Sequence, residues 1–301
     1  MRGAGALSNS PKRISLLLPT RGRRKLVHRF LDSVLDTAAH PESIEVIICT
    51  DDDDPASFDI DFPGLSLKQI VVSRWSMGAY NAICLEQASG DISVAVNDDV
   101  IIRTKGWDEK IRLVDEKYPD GIYLAYGNDL FKGRKLCTFP IMSRRMTELM
   151  FAAYPHIYRG AFIDVHLMDI FMRLSQKGFE RLIYLDDVIF EHLHYRVDPA
   201  ALDETYMERP RFADDHVFMG LIDQRKAEAR RLVMAIRAPG MALPPELPPA
   251  FQPVSLGFLS APWIILSRLA MDAQLPLAWR LYLFVWMNAR YYYSFITRSA
   301  K

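Results

Sequence analysis

The sequence lacks long hydrophobic runs. No stretch reaches the roughly 18–20 apolar residues that a membrane-spanning helix needs, so an integral membrane protein is not expected. The opening residues, MRGAGALSNSPKR, contain no apolar segment of the kind found in signal peptides. These two absences predict a cytoplasmic protein. The carboxyl-terminal tail described below adds a peripheral position on the inner face of the plasma membrane as an alternative.

Cysteine and net charge are also scarce. The three cysteines, Cys49, Cys84 and Cys137, are an odd number without paired spacing, which indicates reduced thiols in a protein core rather than a disulfide framework. Lysine plus arginine equals aspartate plus glutamate at 37 each, so nothing in the overall charge points to a nucleic-acid partner. The charge is local instead: residues 1–31 hold basic residues and no acid, and residues 51–61 are rich in aspartate.

The glycine-rich fingerprints of phosphate binding are missing as well. The basic loop PTRGRRK, residues 19–25, is neither a Walker loop nor a GxGxxG turn. Its arginines, together with the amino terminus of the next helix, could still neutralise phosphate groups. The alternative is a basic turn in solvent.

What is present is an alternation of short apolar runs and helical patterns. Apolar strands separated by helices favour an α/β fold with a mostly parallel central sheet that helices flank on both faces. The predicted strands are 14–19, 44–49, 68–72, 92–96, 121–126, 181–185 and 188–192, and the predicted helices are 26–35, 80–89, 106–118 and 164–177.

The composition changes after about residue 236. We predict a catalytic domain over residues 1–236, a proline-rich linker over 237–255 and an amphipathic, aromatic-rich helical tail over 256–301. In the tail, Arg280, Arg290, Ser294 and Arg298 fall on one side of a helical wheel. That pattern is typical of a helix in a membrane interface whose arginines face lipid phosphates. A helix packed on the catalytic domain or in a dimer interface is the alternative.

Two aspartate clusters follow predicted strands. Asp51–Asp54 come after the second strand, and Asn97, Asp98 and Asp99 come after the fourth. Ligands of such sheets bind outside the carboxyl ends of the strands. Carboxylate oxygens there suit Mg²⁺ or Mn²⁺, although aspartate is equally common in turns and helix caps.

Two later segments offer further chemistry. In FEHLH, His192 and His194 are two residues apart and so face the same side of a strand, where either could bind a metal. In GAFIDVHLMDIFMRL, Asp164 or Asp169 could act as a general base, whereas Asp169 could instead pair with Arg173 one turn along the helix.

The order of these segments resembles a known family. ISLLLPTRGR, IEVIICTDDDDP and MGAYNAICLEQASGDISVAVNDDV are similar to family-2 glycosyltransferases with the A-type nucleotide-diphospho-sugar transferase fold. The resemblance covers roughly residues 12–196. It implies a Rossmann-like fold and transfer of a sugar from a nucleotide-diphospho-sugar to the hydroxyl of a saccharide or lipid-linked acceptor, with inversion and with Mn²⁺ or Mg²⁺ as cofactor.

The resemblance also implies roles for individual residues. The nucleotide-sugar would contact eight of them: Pro19, Thr20, Arg21, Asp51, Asp53, Asn81, Asn97 and Asp98. Asp99 would face the metal, with His192 or His194 completing its site. Asn97 departs from the family pattern, because a neutral amide stands where the motif has its first aspartate. The base would be Asp169, with Asp164 as the competitor.

Two other functions stay open at this point. IICTDDDDP also fits a metal-dependent phosphohydrolase with an aspartate nucleophile, although Asp54 and Pro55 follow where that chemistry prefers a small hydroxyl or apolar residue. Asn97 and the unusual tail fit a non-catalytic, membrane-associated scaffold of the same fold. For the tail we expect peripheral membrane contact or dimerisation.

Overall fold

A computed structural model of the protein describes residues 10–197 and 212–299, without the side chains of Arg298 and Ser299. The amino-terminal expectation of no signal peptide therefore falls largely outside the described residues, as does the contribution of Arg298 to the tail's arginine stripe. Eight strands form the sheet: β1 Ile14–Pro19, β2 Ile44–Asp51, β3 Ser66–Val72, β4 Ile92–Ala95, β5 Val100–Ile102, β6 Leu124–Asn128, β7 Ile141–Ser143 and β8 Leu182–His192.

Helices cover both faces of this sheet. They are α1 Arg24–Thr37, α2 Met77–Gln87, α3 Trp107–Lys117, α4 Arg144–Leu149, α5 Ile163–Gln176, α6 Asp215–Gly220, α7 Ile222–Arg237, α8 Ala261–Ile265 and α9 Leu277–Ser299. Short 3₁₀ turns lie at Pro41–Ser43, Pro55–Ser57 and Gly133–Lys135, and a π turn at Leu266–Ala270 extends α8.

The strand order is β3-β2-β1-β4-β7-β6-β8-β5. Strands β1 to β4 are parallel neighbours, whereas β7 is antiparallel to both of its neighbours and β5 is antiparallel to β8. The fold is therefore α/β with a mostly parallel sheet, flanking helices and a carboxyl-terminal helix, as the sequence predicted. Strands β5 and β7 were not predicted, because three residues are too few to show a period.

Alternation along β1 distributes its side chains between two apolar cores. Leu16 and Leu18 pack into the core that contains Phe30 of α1 and Trp107 of α3. Leu17, between them, packs into the opposite core with the helices that follow residue 160. Parallel strands buried on both faces read as unbroken apolar runs, which is why the first strands were predicted within two residues of their ends. The three cysteines are buried and free of disulfides.

The carboxyl-terminal segment shares the second core. Leu269, Trp279 and Leu283 belong to the same apolar cluster as Phe171 of α5 and Phe218 of α6. The proline-rich stretch has no helix or strand over residues 241–257, and it runs along the domain: the amide of Gln252 donates to the carbonyl of Gly220 (3.1 Å). The domain boundaries stay a prediction, but the tail packs directly on helices of the predicted catalytic domain.

Position 78 requires a glycine because the backbone of another loop lies against it. A Cβ atom at this position would lie 2.1 Å from the carbonyl oxygen of Pro155, well inside contact distance. The amide of Gly78 donates to the carbonyl of Tyr158 (2.9 Å). The first turn of α2 therefore sits directly against the 155–158 loop, which brings Asn81 of the same helix to the cleft described below.

Glu228 of α7 gives a pH-dependent stability prediction. Its side chain is fully buried and accepts hydrogen bonds from the amides of Phe151 (2.9 Å) and Ala152 (3.1 Å). Burial raises the pKa of Glu228 to about 7, because these amides and Arg231 offset only part of the desolvation. Between pH 4.5 and pH 7 the folded chain thus holds a proton that the unfolded chain has lost, so stability falls as pH rises through this range.

Glu228→Gln should remove this loss, since glutamine keeps the acceptor oxygen and does not titrate. We expect the variant to gain up to about 3 kcal/mol of unfolding free energy relative to the wild type between pH 4.5 and pH 8. Denaturant unfolding at several pH values measures it, and Glu148→Gln at an exposed site is the matched control. A difference between Glu228→Gln and wild type that stays constant with pH would contradict the assignment.

Candidate functional site

The site lies where the strand order reverses. Strand β1 is hydrogen-bonded to β2 on one side and to β4 on the other, and the chain leaves these strands at the same edge of the sheet. A reversal of this kind opens a crevice outside the carboxyl ends of the two strands, which is the usual ligand site of doubly wound sheets. The loops 20–23 and 96–99 flank this crevice.

Asp98 clamps the two loops together. Its carboxylate accepts hydrogen bonds from the Thr20 hydroxyl (2.7 Å) and from the Arg23 guanidinium (2.9 Å). Burial raises the pKa of Asp98 to about 6, against the lowering effect of Arg23, and the neighbouring Asp99 carboxylate raises it further. Asp98 thus holds the β1 loop in place, and the residue is 3 % exposed.

Arg21 joins the ends of β1 and β2. Its guanidinium donates to Asp51 Oδ2 (2.7 Å) and also contacts both oxygens of Asp53. The Tyr80 hydroxyl of α2 donates to the other oxygen of Asp51. The pKa of Tyr80 is raised, first by burial and then by this carboxylate. Because both oxygens of Asp51 accept strong hydrogen bonds, Asp51 is a poor nucleophile, and the geometry disfavours the phosphohydrolase alternative.

The other three aspartates of the run, Asp52, Asp53 and Asp54, lie in the turn that follows β2. The amide of Gly22, which has a φ of +64°, donates to Asp54 Oδ2 (2.6 Å). Asp54 is buried, whereas Asp52 is exposed and Asp53 is 53 % exposed. Asp52 and Asp53 are therefore the two exposed carboxylates of the four, and Asp53 is the one that contacts Arg21, next to Pro19 and Thr20.

Asp99 and His192 meet at the other side of the crevice. The two residues lie at the start of β5 and the end of β8, which pair in register, and Asp99 Oδ1 is 3.3 Å from His192 Nε2. Both side chains are buried. The rings of His192 and His194 are 5.0 Å apart, and Phe131 stacks on His194. Of the predicted pair of histidines, His192 lies beside Asp99, whereas His194 follows the end of β8 and lies beside His192 and Phe131.

Asp99, His192 and His194 do not by themselves make up a complete set of metal ligands. Among residues 10–197 and 212–299, no three histidine, cysteine, aspartate or glutamate side chains are grouped as metal ligands. Yet both ring nitrogens of His192 are buried and make no hydrogen bond of good geometry to any residue that the structure describes. A buried imidazole beside a carboxylate fits a divalent cation whose other ligands come from a bound diphosphate.

A cleft of about 1050 Å³ opens next to this pair. Asn81, Asn97, His192 and His194 line its sheet side. Its other walls come from the basic 132–135 loop, from residues 160–165 and from α9. Of the acidic side chains, only Asp164 lines the cleft among the described residues. We refer to this space as the central cleft.

Asp164 lies in the first turn of α5. Its side chain is half-buried, lines the central cleft and accepts from the amide of Val165 (2.8 Å). The preceding residue, Phe162, has a left-handed φ of +66° and packs on Phe218, which fixes where the helix begins. The Asp164 carboxylate therefore lies at the amino terminus of α5, at the wall of the central cleft.

Asp169 lies elsewhere. It is fully buried, does not line the central cleft, and accepts hydrogen bonds from Arg173 (3.0 Å), Arg225 (2.7 Å) and the Trp279 indole (3.1 Å). Burial raises its pKa, but the two arginines outweigh burial and hold the pKa at about 2. A carboxylate saturated in this way is not available as a base. The other possibility that the sequence offered for Asp169, an i,i+4 ion pair with Arg173, is the one found in the structure.

Two walls of the cleft were missed by sequence reasoning. Lys132, Arg134 and Lys135 bring positive charge to it, in a loop whose amides converge on Asp129. The basic run KGRK after a predicted strand was the available signal. The second wall is aromatic and comes from α9. From the sequence alone, the aromatic residues of this helix indicate only contact with a membrane interface or packing against protein.

Two members of the predicted arginine stripe of α9, Arg290 and Ser294, face the protein. Arg290 pairs with Asp215 (2.6 Å), and Ser294 is buried. Asp215 is itself largely buried, so it holds the arginine inward. The opposite side exposes apolar residues, led by Ile296 (66 %) and Val285 (65 %). Peripheral membrane contact or dimerisation through that side stays a prediction. No helix in the described part of the chain is long and apolar enough to cross a membrane.

The chain was compared with known proteins. No family model matches it, and no curated protein matches its sequence. Similar solved structures include the mannosyltransferase PcManGT from Pyrobaculum calidifontis in complex with GDP-Man and Mn²⁺. It is 13 % identical, with a TM-score of 0.45, and the match covers 78 % of this chain and 77 % of that one.

Staphylococcus aureus TarS is also similar. The fragment 1–349 is 16 % identical, with a TM-score of 0.49 and coverage of 92 % of this chain and 87 % of that one. A longer TarS structure is 14 % identical, with a TM-score of 0.45. That match covers 72 % of this chain, which spans about half (49 %) of the longer structure. The function proposed below rests on the residues of the site.

Proposed function

We propose that the protein is a glycosyltransferase that moves a sugar from a nucleotide-diphospho-sugar donor to the hydroxyl of a saccharide or lipid-linked acceptor. One observation carries the proposal. Asn97, beside the crevice at the β1–β4 reversal with its paired arginine and aspartates, also lines a cleft that holds basic side chains and a carboxylate at a helix amino terminus. Such a cleft suits an anionic donor at one end and a hydroxyl acceptor at the other.

The donor would lie across the crevice. Pro19, Thr20 and Arg21 would line the nucleoside site, with Asp53 reaching the base or ribose and Asp51 holding Arg21 in position. Asn81 and Asn97, whose amides line the central cleft, would contact the sugar-diphosphate. Asp98 would act through Thr20 and Arg23, which it fixes.

Asp99 and His192 would hold Mn²⁺ or Mg²⁺, with His194 beside them. When bound, such a cation supplies positive charge next to the departing diphosphate. The basic side chains of the 132–135 loop lie on the same cleft and would add to this charge. The neutral Asn97 would orient the donor through hydrogen bonds rather than through a charge.

Asp164 would be the general base. It would take the proton of the acceptor hydroxyl as that oxygen attacks the anomeric carbon from the side opposite the diphosphate, which inverts the configuration. We propose Asp164 in place of Asp169, because only Asp164 borders the cleft among the two candidates.

A thermal-shift screen tests donor binding. The protein is heated with UDP-, GDP-, CMP- and dTDP-sugars, with and without Mn²⁺. A ligand at about 100 times its Kd adds about 2.7 kcal/mol of stability. We expect one nucleotide class to stabilise the protein, more strongly with Mn²⁺, and Asp99→Ala to lose the Mn²⁺-dependent part. Stabilisation by none of the four, or an unchanged Mn²⁺ effect in Asp99→Ala, contradicts the site.

A non-catalytic scaffold of the same fold is the second candidate. It is favoured by Asn97, which is neutral, and by the incomplete metal-ligand set among the described residues. A scaffold would bind a nucleotide-sugar in the thermal-shift screen and yet release no nucleotide from it with any metal. Nucleotide release in the presence of an acceptor separates the two.

A further inference from the structure

We propose that α9 carries the acceptor site: the aromatic row Trp279, Tyr282 and Trp286 forms a platform that holds a saccharide ring beside Asp164. This inference rests on the proposed function, since it names the acceptor as a carbohydrate and assigns the residues that would bind it.

The three rings form a continuous surface. They are spaced three and four residues apart, so they share one face of the helix, and all three line the central cleft. Trp279 and Tyr282 are stacked with centroids 5.2 Å apart and an angle of 27°. Tyr282 and Trp286 are stacked at 5.8 Å and 12°.

The platform is held rigidly at both ends. The Trp279 indole donates to Asp169 (3.1 Å), inside the buried arginine cluster. Trp286 packs against Phe162 (5.0 Å) and under the guanidinium of Arg290, which Asp215 fixes. A surface whose side chains are already ordered loses little entropy when a ligand stacks on it.

Tyr282, in the middle of the row, is the most exposed of the three rings and belongs to neither apolar core. It is 44 % exposed, although it lies between two more buried indoles. The pKa of its hydroxyl is raised, first by partial burial and then by the carboxylate of Asp164. A sugar ring packed on the exposed part of Tyr282 would lie in the same cleft as the proposed base, because both residues line it.

The shape and chemistry of the cleft favour a saccharide. Single small ligands occupy clefts of about 300–1,000 Å³, so about 1050 Å³ leaves room for part of an acceptor beside the donor sugar. Sugar rings offer apolar C–H faces to aromatic rings and hydroxyls to polar groups, and Asp164, Asn97 and Thr138 line the same space. The aromatic row faces this concave cleft, while exposed aliphatic side chains such as Leu281 and Val285 lie on other sides of the helix.

Saturation-transfer NMR on the full chain tests the platform, with maltotetraose, mannotetraose and chitotetraose as probes. We expect transfer to the ring C–H protons of at least one of them. Tyr282→Ala should weaken that binding about tenfold, the upper end of what one aromatic pair contributes. Tyr282→Phe keeps the ring and should bind normally, as should the matched control Leu281→Ala.

Donor thermal shifts measured on the same proteins separate this inference from the proposed function. If a nucleotide-sugar stabilises the protein but none of the three saccharides gives transfer, or if Tyr282→Ala binds them as the wild type does, the platform is overturned and the donor site stands. If a saccharide binds in a Tyr282-dependent manner and no nucleotide-sugar stabilises the protein, the platform is supported and glycosyl transfer is refuted.

Discussion

Asp164→Asn is expected to lower the rate of sugar transfer by about 10²–10⁴, the contribution typical of a general base. Asparagine has the same shape and keeps an oxygen that can accept from the Val165 amide, but it cannot take a proton from the acceptor hydroxyl. The unfolding free energy should change by less than about 1 kcal/mol, because asparagine fills the same space at this half-buried position and keeps the contact with the Val165 amide.

The measurement is transfer rate at saturating donor, together with the donor-induced thermal shift. The thermal shift should be the same in the variant and the wild type, since the proposed partner of Asp164 is the acceptor and not the donor. Asp186→Asn is the matched control, because Asp186 is exposed and does not line the central cleft. This variant should transfer sugar at the wild-type rate. Near-normal transfer by Asp164→Asn would refute its role as base.

Asp169→Asn is expected to destabilise the protein by about 3–5 kcal/mol, the cost of breaking a buried ion pair from one side. Asp169 is the shared acceptor of Arg173 of α5 and Arg225 of α7, both buried, and of the Trp279 indole of α9. Arg173 has a second partner in Asp272 (2.9 Å), whereas Arg225 has no other carboxylate within ion-pair distance among the described residues. The substitution thus leaves Arg225 as an uncompensated buried charge.

Denaturant unfolding of Asp169→Asn measures this cost. Asp187→Asn breaks an exposed pair with Lys110 and is the matched control, for which at most about 1 kcal/mol is expected. A small change in stability accompanied by a large loss of transfer rate would contradict the structural role of Asp169 and would restore it as the base.

The first half of the fold was readable from the sequence because its strands are buried on both faces. Runs such as ISLLLP and IEVIIC are unbroken, apolar and only six residues long, which favours strands of a covered sheet. The breaks between them mark the carboxyl edge where Asp51 and Asp98 lie. Strands β5 and β7 left no pattern, because three residues pair through the backbone without a side-chain period. The long β8 was read as two segments because the exposed Asp186 and Asp187 interrupt it.

The site was readable only in part. Asp99 and His192 were expected together, and strand pairing brings them together. The choice between Asp164 and Asp169 could not be made from spacing, because both lie on α5. It depends on Arg225 and Trp279, which reach Asp169 from 56 and 110 residues away. The same contacts turn the tail inward, which composition alone could not predict.

Nucleotide release tests the proposed glycosyl transfer most directly. The full chain is incubated with UDP-, GDP-, CMP- and dTDP-sugars, Mn²⁺ and the three tetrasaccharides, and the freed nucleotide and the extended saccharide are quantified. We expect one donor to give both products with the wild type, and Asp164→Asn to give both at a rate about 10²–10⁴ lower. Nucleotide-sugar binding without release from any donor would contradict glycosyl transfer and would favour the non-catalytic scaffold.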